Sequence, residues 1–94
     1  MIEIRRLLWD DWNVAHIARH DVTPEEVEEV CQGDPLARQS YAGRLIILGR
    51  DSAGDILAVV LNPQPEEGVY YVITARAASQ KERRYYRQQK GETR

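Results

Sequence analysis

The sequence predicts an α+β domain: a small antiparallel sheet packed with helices, in the order β-α-α-β-β-β-α. Three observations carry that prediction. Residues 44–50, 55–62 and 69–76 are apolar runs rich in β-branched or aromatic side chains. The links between them are too short for a crossover, so neighbouring runs must pair antiparallel. Helix-start signals then occur twice before these runs and once after them.

Residues 2–8 (IEIRRLL) begin by alternating apolar and charged, as a half-exposed strand does. Trp9 and Asp10 end it. Asp10 or Asp11 can cap a short helix over residues 12–20, on which Asn13, His16, Ile17 and His20 share one side. Asp21 follows as a turn residue that tolerates a left-handed backbone. Thr23 is an N-cap, Pro24 suits the first helical position and Glu26 completes a capping box. Val22 and Val27 match a hydrophobic staple across that cap. The helix runs to about residue 32, where Gly33 and Pro35 stop it, with Val27, Val30 and Cys31 as its buried stripe. A loop leads to the first apolar run. Asp51-Ser52-Ala53-Gly54 is a tight hairpin connection and residues 62–68, with two prolines, a looser one.

In the last run alternation places Val69, Tyr71, Ile73 and Ala75 on one face and Tyr70, Val72, Thr74 and Arg76 on the other. Ser79 and Glu82 have capping-box spacing, so a basic helix begins there with Lys81, Arg83, Arg84, Arg87 and Lys90. The chain beyond about residue 89 is polar and expected to fray.

At 94 residues the sequence is predicted to form one domain, residues 1–94. The single cysteine, Cys31, excludes an internal disulfide. No apolar run reaches the roughly 20 residues a bilayer requires, and there is no signal-peptide pattern. A cytoplasmic location, with no membrane partner, is the expectation. Net charge is −2. Residues 21–35 nevertheless hold six acids and no base, and residues 76–94 seven bases against two acids. An acidic and a basic face are therefore expected.

His16 and His20 stand one helical turn apart, a geometry that can hold a metal. No zinc spacing accompanies them, so no metal or other cofactor is expected, and they are instead the best acid–base candidates. Cys31 has no activating neighbour, and there is no Gly-rich phosphate loop. Arg76, at a strand end, can grip a phosphate or a carboxylate. The competing reading is a structural ion pair with an acid such as Glu82. The first and third apolar runs point the same way. Arg50 and Arg76 therefore end at one edge of the sheet, about 10 Å apart. Two arginines and a histidine converging on one hollow suit a metal-free phosphodiesterase.

Taken in order, Trp9-Asp10, Arg19-His20-Asp21-Val22, Glu25-Glu26, Gly49-Arg50, Ile73-Thr74-Ala75-Arg76 and Glu82-Arg83 resemble the motifs of the BrnT family, toxins of bacterial type II toxin–antitoxin pairs. The resemblance covers residues 9–86. It implies a RelE/BrnT-like fold, metal-independent RNA cleavage by 2′-hydroxyl attack, and neutralisation by a ribbon-helix-helix antitoxin. His20, Arg50 and Arg76 are the catalytic positions it suggests, with Arg83 as a supporting cation; His16 stays a catalytic candidate from the histidine spacing. Arg83, Lys81 and Arg84 would bind substrate, and a homodimer is compatible with it. Two departures stand out. The lysine the family carries four residues after the motif tryptophan is Asn13 here, or Trp12 if a one-residue gap precedes it. The glycine after the histidine is Asp21. A non-catalytic interaction module on the same fold is the alternative reading.

Overall fold

A computed structural model describes residues 2–92 of the chain. Strand β1 (Arg6–Leu8) leads into helices α1 (Asp11–Ala18) and α2 (Pro24–Gln32). Strands β2 (Leu36–Gln39), β3 (Leu45–Arg50), β4 (Ile56–Pro63) and β5 (Val69–Ala77) follow, then helix α3 (Gln80–Gln89). The predicted α+β fold is observed, with β2 added to the expected element order.

The five strands form one sheet in the order β1-β5-β4-β3-β2. The three apolar runs pair antiparallel as their short links require. β1 instead joins β5 in parallel. Two helices and three strands separate β1 from β5 in the chain, so no tight turn dictates their direction. β2 was expected as loop: Leu36-Ala37-Arg38-Gln39 has no β-branched residue, and all but Leu36 are exposed. It is a strand because β3 offers it an edge to pair with.

Each helix starts with a reciprocal capping box, from Asp10 to Asn13, Thr23 to Glu26 and Ser79 to Glu82. Asp21, with φ of 59°, takes the left-handed turn that ends the α1 segment. This turn also closes α1 at Ala18 rather than His20, so His20 sits beyond the helix.

Alternation along β3 and β4 splits the sheet into two faces. On one, Ile17, Val22, Val27 and Val30 of the α1–α2 layer bury against Ile47, Val59, Leu61, Val72 and Ala75. On the other, Tyr86 of α3 and Ala78 cover Leu48, Ile56 and Ala58. The expected alternation along β5 is corrected by a register shift opposite Val60 and Leu61. One extra residue enters β5 there, and Val69, Val72 and Ala75 become the buried set in place of Val69, Tyr71, Ile73 and Ala75.

Beyond α3, Lys90 pairs with Asp34 at 2.9 Å and Glu92 with Arg50. The rest of the tail expected to fray lies outside the described residues.

At Gly49 α2 lies close against the sheet. A Cβ there would meet Val30 Cγ1 at 2.9 Å and Pro35 Cβ at 3.2 Å. Val30 is itself buried, so neither layer has room to yield. We expect Gly49→Ala to lower stability by about 1–3 kcal/mol. Urea denaturation checks this, and an unchanged midpoint would contradict the close packing.

Candidate functional site

The segment that ties the α1 side of the molecule together is Trp9-Asp10-x-x-Asn13. Asn13 is fully buried. Its amide donates to Leu8 O at 3.0 Å and to Val72 O at 3.1 Å. Its carbonyl oxygen accepts the Asp10 N–H at 2.9 Å. β1, the start of α1 and β5 are thereby joined through one side chain. Asp10 caps Asn13 N and receives the Tyr71 hydroxyl. Trp9 packs on the core and donates its indole N–H to Glu28 at 2.9 Å. The motif is thus structural here. From the sequence Asn13 was read as a residue on the histidine side and as the position of the absent family lysine; its spacing from Asp10 was the available signal for the cap, and nothing local marked its burial.

An open hollow of about 460 Å³ lies at the end of the sheet, where the α1–α2 turn, the β3–β4 hairpin and the start of α3 meet. His20 and Arg83 line it, together with Asp21, Glu26, Asp51 and Asp55. Arg83 Nη1 donates to Ala78 O at 2.7 Å, which fixes its guanidinium over the mouth of α3. Two of the carboxylates are already engaged by backbone. Asp51 accepts from Ala53 and Asp55 N–H groups, and Glu26 from Thr23 N–H. The arrangement supplies one imidazole and one guanidinium that solvent can reach, inside a rim that is acidic in sum.

Arg50 and Arg76 do not line this hollow, so the expected convergence of all three groups is corrected. Both arginines do project on the α3 face of the sheet. Arg76 is level with Leu48 through Ala58. Arg50 is two residues further along β3, which sets the two roughly 12 Å apart. His20 comes instead from the opposite layer. Arg50 donates to Gly54 O at 2.6 Å, pairs with Glu92 and lies over the Tyr86 ring. Arg76 is forked by Glu82, at 2.7 Å from Nη1 and 3.0 Å from Nη2. That is the competing reading of Arg76. Its side chain remains 43 % exposed, so the outer edge of the fork still meets water. The hydrogen bonds from Arg76 hold the Glu82 carboxyl at about 2, below the ordinary 4.5, and Ser79 reinforces them.

His16 is half-buried on α1, stacked flat on Trp12 with centroids 4.8 Å apart. Lys81 and Arg84 are exposed on α3. Among the described residues no group of three or more His, Cys, Asp or Glu is placed to hold a metal. A second open hollow, of about 860 Å³, lies between residues 2–4 and the α2–β2 link and contains none of the predicted site residues. Cys31 lines it, but burial pushes the thiol up to about 12, with Glu28 adding to the effect, so no thiolate forms there.

No protein-family model and no curated protein sequence matches the chain. Among solved structures, the fold is similar to the crystal structure of the Brucella abortus ribonuclease toxin BrnT. The TM-score is 0.63 at 26 % identity, covering 80 % of this chain and 97 % of that one. The fold and the family resemblance read from the motifs are both borne out by this match, at a distance that marks a divergent sequence.

Two outcomes follow for the supports of the site. Asn13→Ala leaves two carbonyls and an N–H without partners, and should cost about 2–4 kcal/mol. Asn13→Asp should not restore it, because a carboxylate cannot donate to Leu8 and Val72; thermal melts of both variants check this. The Arg76–Glu82 fork stabilises the fold fully above about pH 4.5 and is lost as pH falls towards about 2. At neutral pH, Glu82→Gln should lose only about 1 kcal/mol, since solvent screens the pair. The gap from the parent chain should close on acidification, and a gap constant from pH 7 to 2 would show that the fork does not titrate as described.

Proposed function

We propose that this chain, a BrnT-like protein of divergent sequence, is a toxin that cleaves RNA without a metal and is neutralised by a cognate antitoxin in the cytoplasm. What supports the reading is the likeness to a ribonuclease toxin over most of the chain, with the motif histidine delivered to an open hollow beside a guanidinium. His20 would take the proton of a ribose 2′-hydroxyl as its oxygen attacks the adjacent phosphorus. The bond to the 5′ oxygen breaks, that oxygen leaves with a proton from water, and a 2′,3′-cyclic phosphate remains. Arg83, held by Ala78 O, would offset the charge on the phosphate oxygens. Arg76 and Arg50 lie behind it on the α3 face, with Lys81 and Arg84 on the outer surface of α3. We assign them to binding the flanking backbone, with His16 supporting His20 through their edge contact at 5.7 Å.

One observation favours the alternative of a non-catalytic interaction module. Arg50 and Arg76 are each engaged by a glutamate, and four carboxylates line the hollow. Substrate phosphate would have to compete with them. For the toxin reading, the partner is a ribbon-helix-helix antitoxin, whose reading frame is expected next to this one.

The two readings separate in one assay. The purified chain in EDTA should cut single-stranded RNA to products ending in cyclic phosphate, and His20→Ala should lower the rate by about 10²- to 10⁴-fold. Intact RNA at micromolar protein would leave the interaction module. Cleavage unaffected by His20→Ala would remove His20 from the mechanism.

A further inference from the structure

Helix α1 and the turn after it carry an outward line of rings with no part in the buried core. Trp12 is 58 % exposed. It belongs to neither buried cluster, and its indole N–H has no hydrogen-bond partner among the described residues. Trp9, three residues earlier, does the reverse on both counts. The inner face of Trp12 is stacked on His16 at 4.8 Å with an interplanar angle of 8°. His16 in turn meets His20 edge-on at 5.7 Å and 72°. The three rings recur every fourth residue, so they follow one side of the segment. The last of them lines the hollow at the end of the sheet.

We propose that Trp12, braced from behind by His16, stacks on an unpaired base at the outer end of a track that passes His20 and leads a single RNA strand into that hollow. The stack with His16 fixes one face of the indole and leaves the other open, so a base can dock without ordering a mobile side chain. Ring spacings of 4.8 and 5.7 Å keep Trp12 within about 10 Å of His20. That is roughly three nucleotides at the 3.4 Å spacing of a stacked strand. Arg19, exposed and three residues after His16, supplies a cation beside the track for the backbone. Asp11 and Asp21, exposed at its two ends, oppose phosphate there, so affinity rests on stacking more than on charge. A duplex, whose bases present no free face, is excluded. Delivery to the hollow rests on the ribonuclease reading; the binding itself does not.

The test separates binding from cleavage. A labelled single-stranded 2′-O-methyl oligonucleotide lacks the attacking hydroxyl and cannot be cut, so its affinity is read by fluorescence anisotropy. Trp12→Ala should weaken binding by about 5- to 100-fold, the range of one lost base stack. Trp12→Phe should recover most of it, with thermal melts confirming that both variants fold. On an oligonucleotide with abasic sites the Trp12→Ala variant and the parent chain should bind alike. The proposal is overturned by any of three results. These are no binding up to roughly 100 µM, affinity within twofold after Trp12→Ala, or equal binding of the matching duplex. Trp12-dependent binding without cleavage of ordinary RNA would keep the track and end the ribonuclease reading. Cleavage with Trp12-independent binding would do the opposite.

Discussion

The fork between Arg76 and Glu82 is the contact on which the working end of this molecule depends. It closes only six residues of chain, yet it joins the last strand of the sheet to the first turn of α3. Glu82 also receives the Ser79 N–H as the third residue of the capping box. One carboxylate therefore ties the end of the strand to the first turn of the helix. That helix carries Tyr86, over Leu48 and Ala58, and Arg83, at the hollow. The same contact partly neutralises the arginine that the motifs single out. Arg76 is more firmly a structural residue than a free phosphate ligand, though its outer edge remains wet.

Where a signal was local, it was legible. Thr23, Pro24 and Glu26 announced α2, and Ser79 and Glu82 announced α3, because capping is settled within four residues. The β-branched runs announced β3, β4 and β5 for a similar reason. What escaped depended on partners distant in sequence. β2 is a strand only because β3 has a free edge, and β1 turned out parallel because nothing short connects it to β5. The bulge in β5 inverted the assignment of Tyr71 and Val72, since a period of two cannot foresee an inserted residue. The candidate site divides along the same line. The Arg76–Glu82 pair was legible at a separation of six residues, whereas the pairing of Arg50 with Glu92 spans 42. That His20 and Arg83 would line one hollow was not legible, because it depends on which face of the sheet each helix takes.

Charge patterning was legible too, and the fold gives it a consequence. Most acids of residues 21–35 belong to the α1–α2 layer and most bases of residues 76–90 to α3, so the sheet lies between them except where Lys90 pairs with Asp34. The hollow lies where those layers meet at the end of the sheet, and it inherits both signs: Asp21 and Glu26 from one side, Arg83 from the other, Asp51 and Asp55 from the hairpin between. Four carboxylates against one guanidinium leave the rim net negative. That field opposes a polyanion within a Debye length of roughly 8 Å, so only direct contact could hold one here.

That argument bears on the departure around Trp12 and Asn13, where the resembling family carries a lysine. Asn13 cannot stand in for an exposed cation. It is enclosed on all sides and its three hydrogen bonds hold two strands to a helix. The solvent-facing position beside it is Trp12, and there an aromatic ring replaces a charge. In a molecule of net charge −2 a single added cation would be largely screened by neighbouring carboxylates. A stacked indole is insensitive to that screening, because its attraction for a base is short-ranged and needs no counterion release. Exchanging charge for stacking at this position is thus consistent with the acidity of the rest of the chain. Under the proposed RNA reading both features follow from one shift: recognition moves from the backbone of a nucleic acid to its bases.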